Sequence, residues 1–260
     1  MYKTDELMCL LNGFAPLKLS NKMIEQGAYD NSGLIVKVSE NANKILFSLD
    51  LSNSSIDRAI ELGCDTIITH HPAIYSPIKT LSIDGQEKAL ITAVKNGVNV
   101  ISMHLNLDIA NDGIDQQLAK GLGGEEIKVL NIVDGDNGYG RISTVKEQRA
   151  QDFLKNAKKV FNSEKIIMYG DKVVKMIASF CGGGASEALS MLEKLIGVDT
   201  IITSDMAHHQ LKEFIENGFN VMLLPHYVSE HYGFNKFYNT VAAMIKEKAQ
   251  TFYFLDERFM

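Results

Sequence analysis

The sequence predicts an α/β protein of two similar, interlocked lobes with mostly parallel sheets. Two observations carry that expectation. Strands and helices alternate along nearly the whole chain, and two stretches read as copies of one another. The first runs Lys44-Ile-Leu-Phe-Ser, a helical stretch, Asp65-Thr-Ile-Ile-Thr-His70-His71, then Asn96-Gly-Val-Asn-Val100 and His104-Leu-Asn-Leu-Asp108. The second runs Lys175-Met-Ile-Ala-Ser, a helical stretch, Asp199-Thr-Ile-Ile-Thr-Ser204-Asp205, then Asn217-Gly-Phe-Asn-Val221 and His226-Tyr-Val-Ser-Glu230. Each copy reads strand, helix, strand, helix, strand. Each ends in a histidine, three residues and a carboxylate. A duplication of this kind turns both sets of strand ends toward one cleft, where a shared metal site is expected.

The elements follow in order. Residues 3–26 are helical, with Leu7, Leu10, Leu11 and Phe14 as an apolar stripe and Pro16 as a breaker. Asp30 to Leu34 is a turn. Residues 44–50 and 65–69 are short apolar runs, as buried parallel strands require. Ser54 or Ser55 caps a helix that Gly63 ends. Helix 86–96, strand 98–103 and helix 111–122 follow. The Gly-, Asp- and Asn-rich stretch 131–140 reads as the boundary between lobes. Helix 149–161, strands 165–170 and 173–180, helix 186–196, strand 199–203, helix 207–217 and strand 219–224 complete the second copy. A helix over 235–249 and a strand over 251–255 close the chain. The division expected is therefore 1–133 as a first lobe with the HHP and HxxxD motifs, 134–225 as a second, and 226–260 as a C-terminal segment that carries HxxxE and packs back on the first.

The 260 residues are 45% hydrophobic and 22% charged, as in an ordinary soluble protein able to bury a sizeable core. A net charge of −6 argues against a nucleic-acid coat, which needs a basic face. Three cysteines without a CxxC offer no disulfide framework and fit a reducing compartment. No signal peptide or membrane-length apolar run is present, so a cytoplasmic protein with no membrane partner is expected.

Six of the seven histidines fall in HH or Hx3D/E motifs after strands; the seventh, His231, follows Glu230. Ligands at the carboxyl ends of strands are the rule for open α/β sheets. A single histidine near a strand end is usually structural, but the set points to metal. On an extended chain the neighbours His70 and His71 point opposite ways and suit two ions better than one. His104 with Asp108, and His226 with Glu230, share a helix face at i, i+4. Imidazole and carboxylate suit Zn, Fe, Mn or Ni, and no thiolate cluster suggests a structural zinc site. A carboxylate such as Glu230 can bridge two ions, and a pair about 3.5–4 Å apart activates a shared water. Asp205, His208 and His209 read in two ways, as an N-cap (Ser204 or Asp205) on the helix that follows or as a proton relay beside the site. Cys181-Gly182-Gly183-Gly184 opens a helix after a strand, where its amides could hold an anion such as phosphate, but it lacks the spacing of a phosphate loop and reads first as a tight turn.

Six ordered motifs resemble those of the GTP cyclohydrolase I type 2 homologs, the NGG-one-interacting factor three-like family. They are Asp30-Asn-Ser-Gly-Leu34, His70-His71-Pro72, His104-Leu-Asn-Leu-Asp108, Gly138-Tyr-Gly-Arg-Ile142, Ser204-Asp-Met-Ala-His-His209 and His226-Tyr-Val-Ser-Glu230. The resemblance implies a toroidal homohexamer with two divalent ions per subunit, held by His70, His71, Asp108, His226 and a bridging Glu230. His104 would be a further ligand or an acid–base group, with His208 and His209 as proton carriers. The implied activity is metal-dependent hydrolysis of a nucleotide-like small molecule. Tyr29, Lys37 and Leu105 depart from the family pattern without removing a ligand. The sequence shows no basic triphosphate cradle, so GTP is one candidate substrate among several. The rival expectation is a non-enzymatic metal-binding scaffold or metal carrier.

Overall fold

The structure, a computed structural model, describes residues 2–260. The chain divides into two compact units. One holds the residues up to Ala110 with Phe234–Asp256; the other holds Asn111–Gly233 with Glu257–Met260.

The first unit opens with β1 (Tyr2–Lys3), α1 (Thr4–Phe14) and α2 (Leu17–Glu25), broken at Pro16 as expected. Then come β2 (Gly33–Val36), β3 (Asn41–Ala42), β4 (Lys44–Ser48), α3 (Asn53–Glu61), β5 (Thr66–Thr69), α4 (Lys88–Lys95), β6 (Asn99–Ser102) and α5 (Leu105–Ile109). Ser52, rather than Ser54 or Ser55, caps α3: its Oγ accepts from the Ser55 amide at 3.1 Å, and Ser55 Oγ accepts from the Ser52 amide in return. All four residues of β5 and of β6 are buried, as for strands covered on both faces.

The second unit contains α6 (Ile114–Gly121), β7 (Glu125–Asp134), β8 (Asn137–Gln148), α7 (Ala150–Phe161), β9 (Ile167–Tyr169), β10 (Val174–Ser179), α8 (Ala185–Ser190), β11 (Thr200–Thr203), α9 (His208–Glu216) and β12 (Asn220–Leu223). The helix expected over 186–196 stops at Ser190 and continues as a 3-10 turn, Leu192–Lys194. The final helix, α10 (His226–Ile245), begins earlier than expected, and its residues from Phe234 on belong to the first unit together with β13 (Gln250–Tyr253).

The first sheet has the order β13-β4-β5-β6-β2, parallel except for β2. The second has the order β7-β8-β10-β11-β12-β9. Its centre, β10-β11-β12, is parallel, and its flanks are antiparallel. The expectation of mostly parallel sheets therefore describes the duplicated cores, and the antiparallel flanks add to it. The stretch 131–140, read from its Gly and Asp content as an interlobe boundary, is the tip of the long β7–β8 hairpin. Turn chemistry inside a hairpin and in a linker look alike in sequence. Residues 111–133 consequently lie in the second unit, not the first. Residues 234–256 lie in the first unit, where β13 pairs with β4. Among the described residues no helix is long and apolar enough to cross a membrane.

Ladder register sharpens the internal repeat. Ile45 pairs with Thr66 as Ile177 pairs with Thr200, and Thr66 pairs with Asn99 as Thr200 pairs with Asn220. The equivalent of Lys44 is thus Met176, not Lys175, a shift of one residue from the sequence match. His70 corresponds to Ser204, His71 to Asp205 and Asp50 to Gly182. The match and the register agree through β5 and β6, and a second one-residue shift, of opposite sense, follows the last strand. The Met103 amide bonds Thr69 O as the Leu224 amide bonds Thr203 O. Leu105 therefore corresponds to His226, and Asp108 to Ser229. The two Hx3-carboxylate motifs, matched in sequence, sit one residue apart on equivalent helices. On an α-helix that displaces a side chain by about 100°.

Candidate metal centre

In the first unit, β5 runs straight into His70 and His71, and β6 into His104. Backbone bonds from the His70 and His71 amides to Leu49 O, at 3.0 and 2.9 Å, fix the turn after the strand. His70 is fully buried; its Nδ1 meets Met103 O at 2.8 Å and its Nε2 lies 3.4 Å from Asp108 Oδ1. His70, His104 and Asp108 bring ligand atoms within 4.8 Å of one another, a group able to hold a metal ion. The rings of His70, His71 and His104 gather with centroids 5.0–5.9 Å apart.

Each of these imidazoles is oriented from behind. His71 Nδ1 is 2.7 Å from Asp50 Oδ1, and His104 Nδ1 is 2.7 Å from Asp30 Oδ1. Ser32 completes a clamp on His104: its Oγ donates to Asp30 at 2.7 Å and accepts the His104 amide at 3.1 Å. Burial pushes the Asp30 carboxyl up, but hydrogen bonds from His104, Ser20 and Ser32 outweigh it and hold the group below its ordinary range.

In the second unit, α10 starts at His226, and i, i+4 spacing brings Glu230 Oε1 to 3.0 Å from His226 Nε2. His226 Nδ1 is held 2.5 Å from Asp205 Oδ2. Glu230 is buried, at 2% exposure. Gly182, at φ +59, passes so close that a Cβ there would sit 2.7 Å from Glu230 Oε1. Only glycine meets both conditions at that position.

Asp205 does not cap α9. The Ala207 amide instead bonds the Gln210 side chain at 2.9 Å, and Asp205 serves His226. His208 and His209 stand exposed in the first turn of α9, outside the metal-competent group. His231 stacks on Tyr227 and burial lowers its pKa to about 4, so it is neutral near pH 7. In the sequence Asp50 stands in no motif, and Asp30 opens the turn motif Asp30-Asn-Ser-Gly-Leu34. Their signal was a carboxylate just past a strand or beside a turn glycine, which acquires meaning only once a histidine is brought to it.

Four imidazoles with Nδ1 anchored to oxygen leave Nε2 as the donor atom, and three of them sit beside buried carboxylates. This donor set fits a divalent ion of the Zn, Fe, Mn or Ni kind. Fold and site together define a mixed α/β protein with histidine–carboxylate groups able to hold a metal ion.

Residues 2–258 match the family described as Duf34/NIF3 (NGG1p interacting factor 3), and the chain belongs to it. A Clostridium perfringens protein named "GTP cyclohydrolase 1 type 2 homolog" is 30% identical over 235 residues, 88% of this chain and 87% of its own. Among solved structures, reduced HcgD from Methanocaldococcus jannaschii is 28% identical with a TM-score of 0.79, covering 97% of each chain. A Staphylococcus aureus protein aligns at a TM-score of 0.86 over 100% of this chain and 99% of its own; at 23% identity it speaks to the fold alone.

Proposed function

We propose that this protein is a dinuclear-metal hydrolase acting on a nucleotide or related small molecule. The observation that carries the reading is the common anchoring of His70, His71, His104 and His226 through Nδ1, with Asp108 beside His70 Nε2 in the first unit and Glu230 beside His226 Nε2 in the second. In this proposal His70, His71, Asp108, His226 and Glu230 would hold two divalent ions. Such ions would polarise a substrate bond and lower the pKa of a water. His104, clamped by Asp30, would take or give a proton at Nε2, with the exposed His208 and His209 passing it to solvent. The Clostridium relative's name makes hydrolytic opening of the guanine imidazole ring a candidate reaction. We also propose a homohexameric ring, on family resemblance.

The test is metal content per subunit by elemental mass spectrometry on untagged protein. Close to two ions is expected, with His71→Ala and Glu230→Ala losing or halving them. No metal after reconstitution with Zn²⁺, Mn²⁺ and Fe²⁺ would make these histidines structural and end the hydrolase reading. A second reading, a metal carrier or regulatory scaffold, is favoured by the exposure of His226 and Asp205, whose side chains are 36% and 67% accessible. Full metal occupancy without turnover of nucleotides, phosphoesters or cyclic amides would select it.

A further inference from the structure

The two copies of the repeat contain the same dyad built in opposite senses. In the first, the residue after the central strand's first exit position is the imidazole, His71, and the acid behind it is Asp50, from the end of β4. In the second, the corresponding residue is the acid, Asp205, and the imidazole is His226, from the start of α10. The position equivalent to Asp50 is Gly182, where any side chain would run into Glu230. Glu230 leaves no room for an acid there, and the second copy's acid stands at the strand end instead.

We propose that Asp50 and Asp205 are matched positioning residues, each holding its histidine as the Nδ1–H tautomer so that Nε2 is presented as a metal donor. A carboxylate accepts but cannot donate, so it admits only the ring nitrogen that carries the proton. Both acids are partly or largely exposed, at 42% and 67% of side-chain area, where an ion pair contributes little to stability. Neutral histidine at metal sites is commonly oriented in this way, and losing the orienting group typically costs about 10–100-fold in affinity. The affinity arm of this inference rests on the metal reading above; the tautomer arm does not.

The experiment uses the full chain as Asp50→Ala, Asp205→Ala and the two Asp→Asn variants. The first readout is ¹⁵N-histidine NMR of metal-free protein at a pH where the imidazoles are neutral. His71 and His226 are expected in the Nδ1–H form in the wild type. Each Ala variant is expected to give a tautomer mixture at its own histidine only, and Asn, whose Oδ1 still accepts, to restore most of the Nδ1–H form. The second readout is competition of Co²⁺ against a chelator, with its visible absorption. Each Ala variant is expected to weaken binding about 10–100-fold, with Asn intermediate. Unchanged tautomers in both Ala variants overturn the proposal. A lowered melting temperature with tautomer and affinity unmoved assigns the acids a structural role and overturns it equally. Correct tautomers in a wild type that takes up no metal would end the metal reading and leave the positioning intact. If an Ala variant does not fold, the Asn variant decides: affinity and Co²⁺ spectrum identical to wild type count against the proposal.

Discussion

The parallel cores of the two units share a scaffold and differ at their tips. In both, an aspartate at the start of the central strand gathers the amides of the neighbouring strand: Asp65 accepts from Asn43 and Lys44, and Asp199 from Lys175 and Met176. In both, a fully buried asparagine ties the next strand to an incoming loop, Asn99 to Val38, Ser39 and Asn41, and Asn220 to Lys172. At the other end the correspondence is of place only. His70 faces Asp108 in the first copy; their counterparts Ser204 and Ser229 share a hydroxyl hydrogen bond of 3.0 Å in the second. The amino ends of the strands carry the stabilising clamps and stay alike. The carboxyl ends carry the histidines and carboxylates and diverge, which fits binding sites at strand ends on a fixed frame.

The change that would break this comparison most directly, and the largest expected at the strand tips, is at Gly182. Gly182→Ala drives a methyl against Glu230 and imposes a left-handed φ on a residue with a Cβ. It is expected to lower metal affinity at least about tenfold, in the range seen when metal-site geometry is disturbed. Chelator competition checks this, and an unchanged affinity would mean that Glu230 has room the structure denies it.

The clamps come next. Asn99→Ala strands two amide donors and loses bonds to Ser39 O, Asn41 O and Thr4 Oγ1. At about 1–3 kcal/mol per buried group left unmade, a loss of about 4 kcal/mol is expected. Asn220→Ala removes fewer bonds and should cost about 2–3 kcal/mol. Denaturant unfolding of both variants sharpens the comparison; equal costs would show that the clamps do not scale with their bonds.

The smallest effect is at Cys64, whose counterpart in the second copy is Val198. Both sit in the apolar core of their own unit. Burial foremost, with Asp65 adding to it, raises the Cys64 thiol to about 11, so about a thousandth is thiolate at pH 8. A thiol reagent on native protein should therefore modify the exposed Cys9 well ahead of Cys64. Cys64→Val, which places the counterpart's residue there and adds about one methyl group of volume, should change stability by about 1 kcal/mol. Rapid labelling of Cys64 would show that this core is open.

Much of this was legible in the sequence. Runs such as Thr-Ile-Ile-Thr name buried strands through β-branched apolar residues. Pro16 and the glycines mark breaks, and the paired histidines after β5 mark a strand-end site, because strand ends are where a sheet can offer side chains to a ligand. The repeat was visible too, since Asp65 and Asp199, Asn99 and Asn220 recur for the backbone bonds they make. What the sequence could not settle was register. Sliding β4 against β10 by one residue costs nothing in a string of letters, yet it reverses every side chain in a sheet. On the helices after β6 and β12 a one-residue step turns each side chain by about 100°.

The amino-acid sequence by itself determined the class of fold, the elements of each copy and the histidines and carboxylates competent for metal, because each is a local matter of periodicity and residue chemistry. Only the tertiary structure decided which acid stands behind which imidazole. Asp30 lies 74 positions from His104 and Asp50 lies 21 from His71. Those pairs exist because strand pairing brings distant strand ends together, a non-local contact that no window of sequence contains.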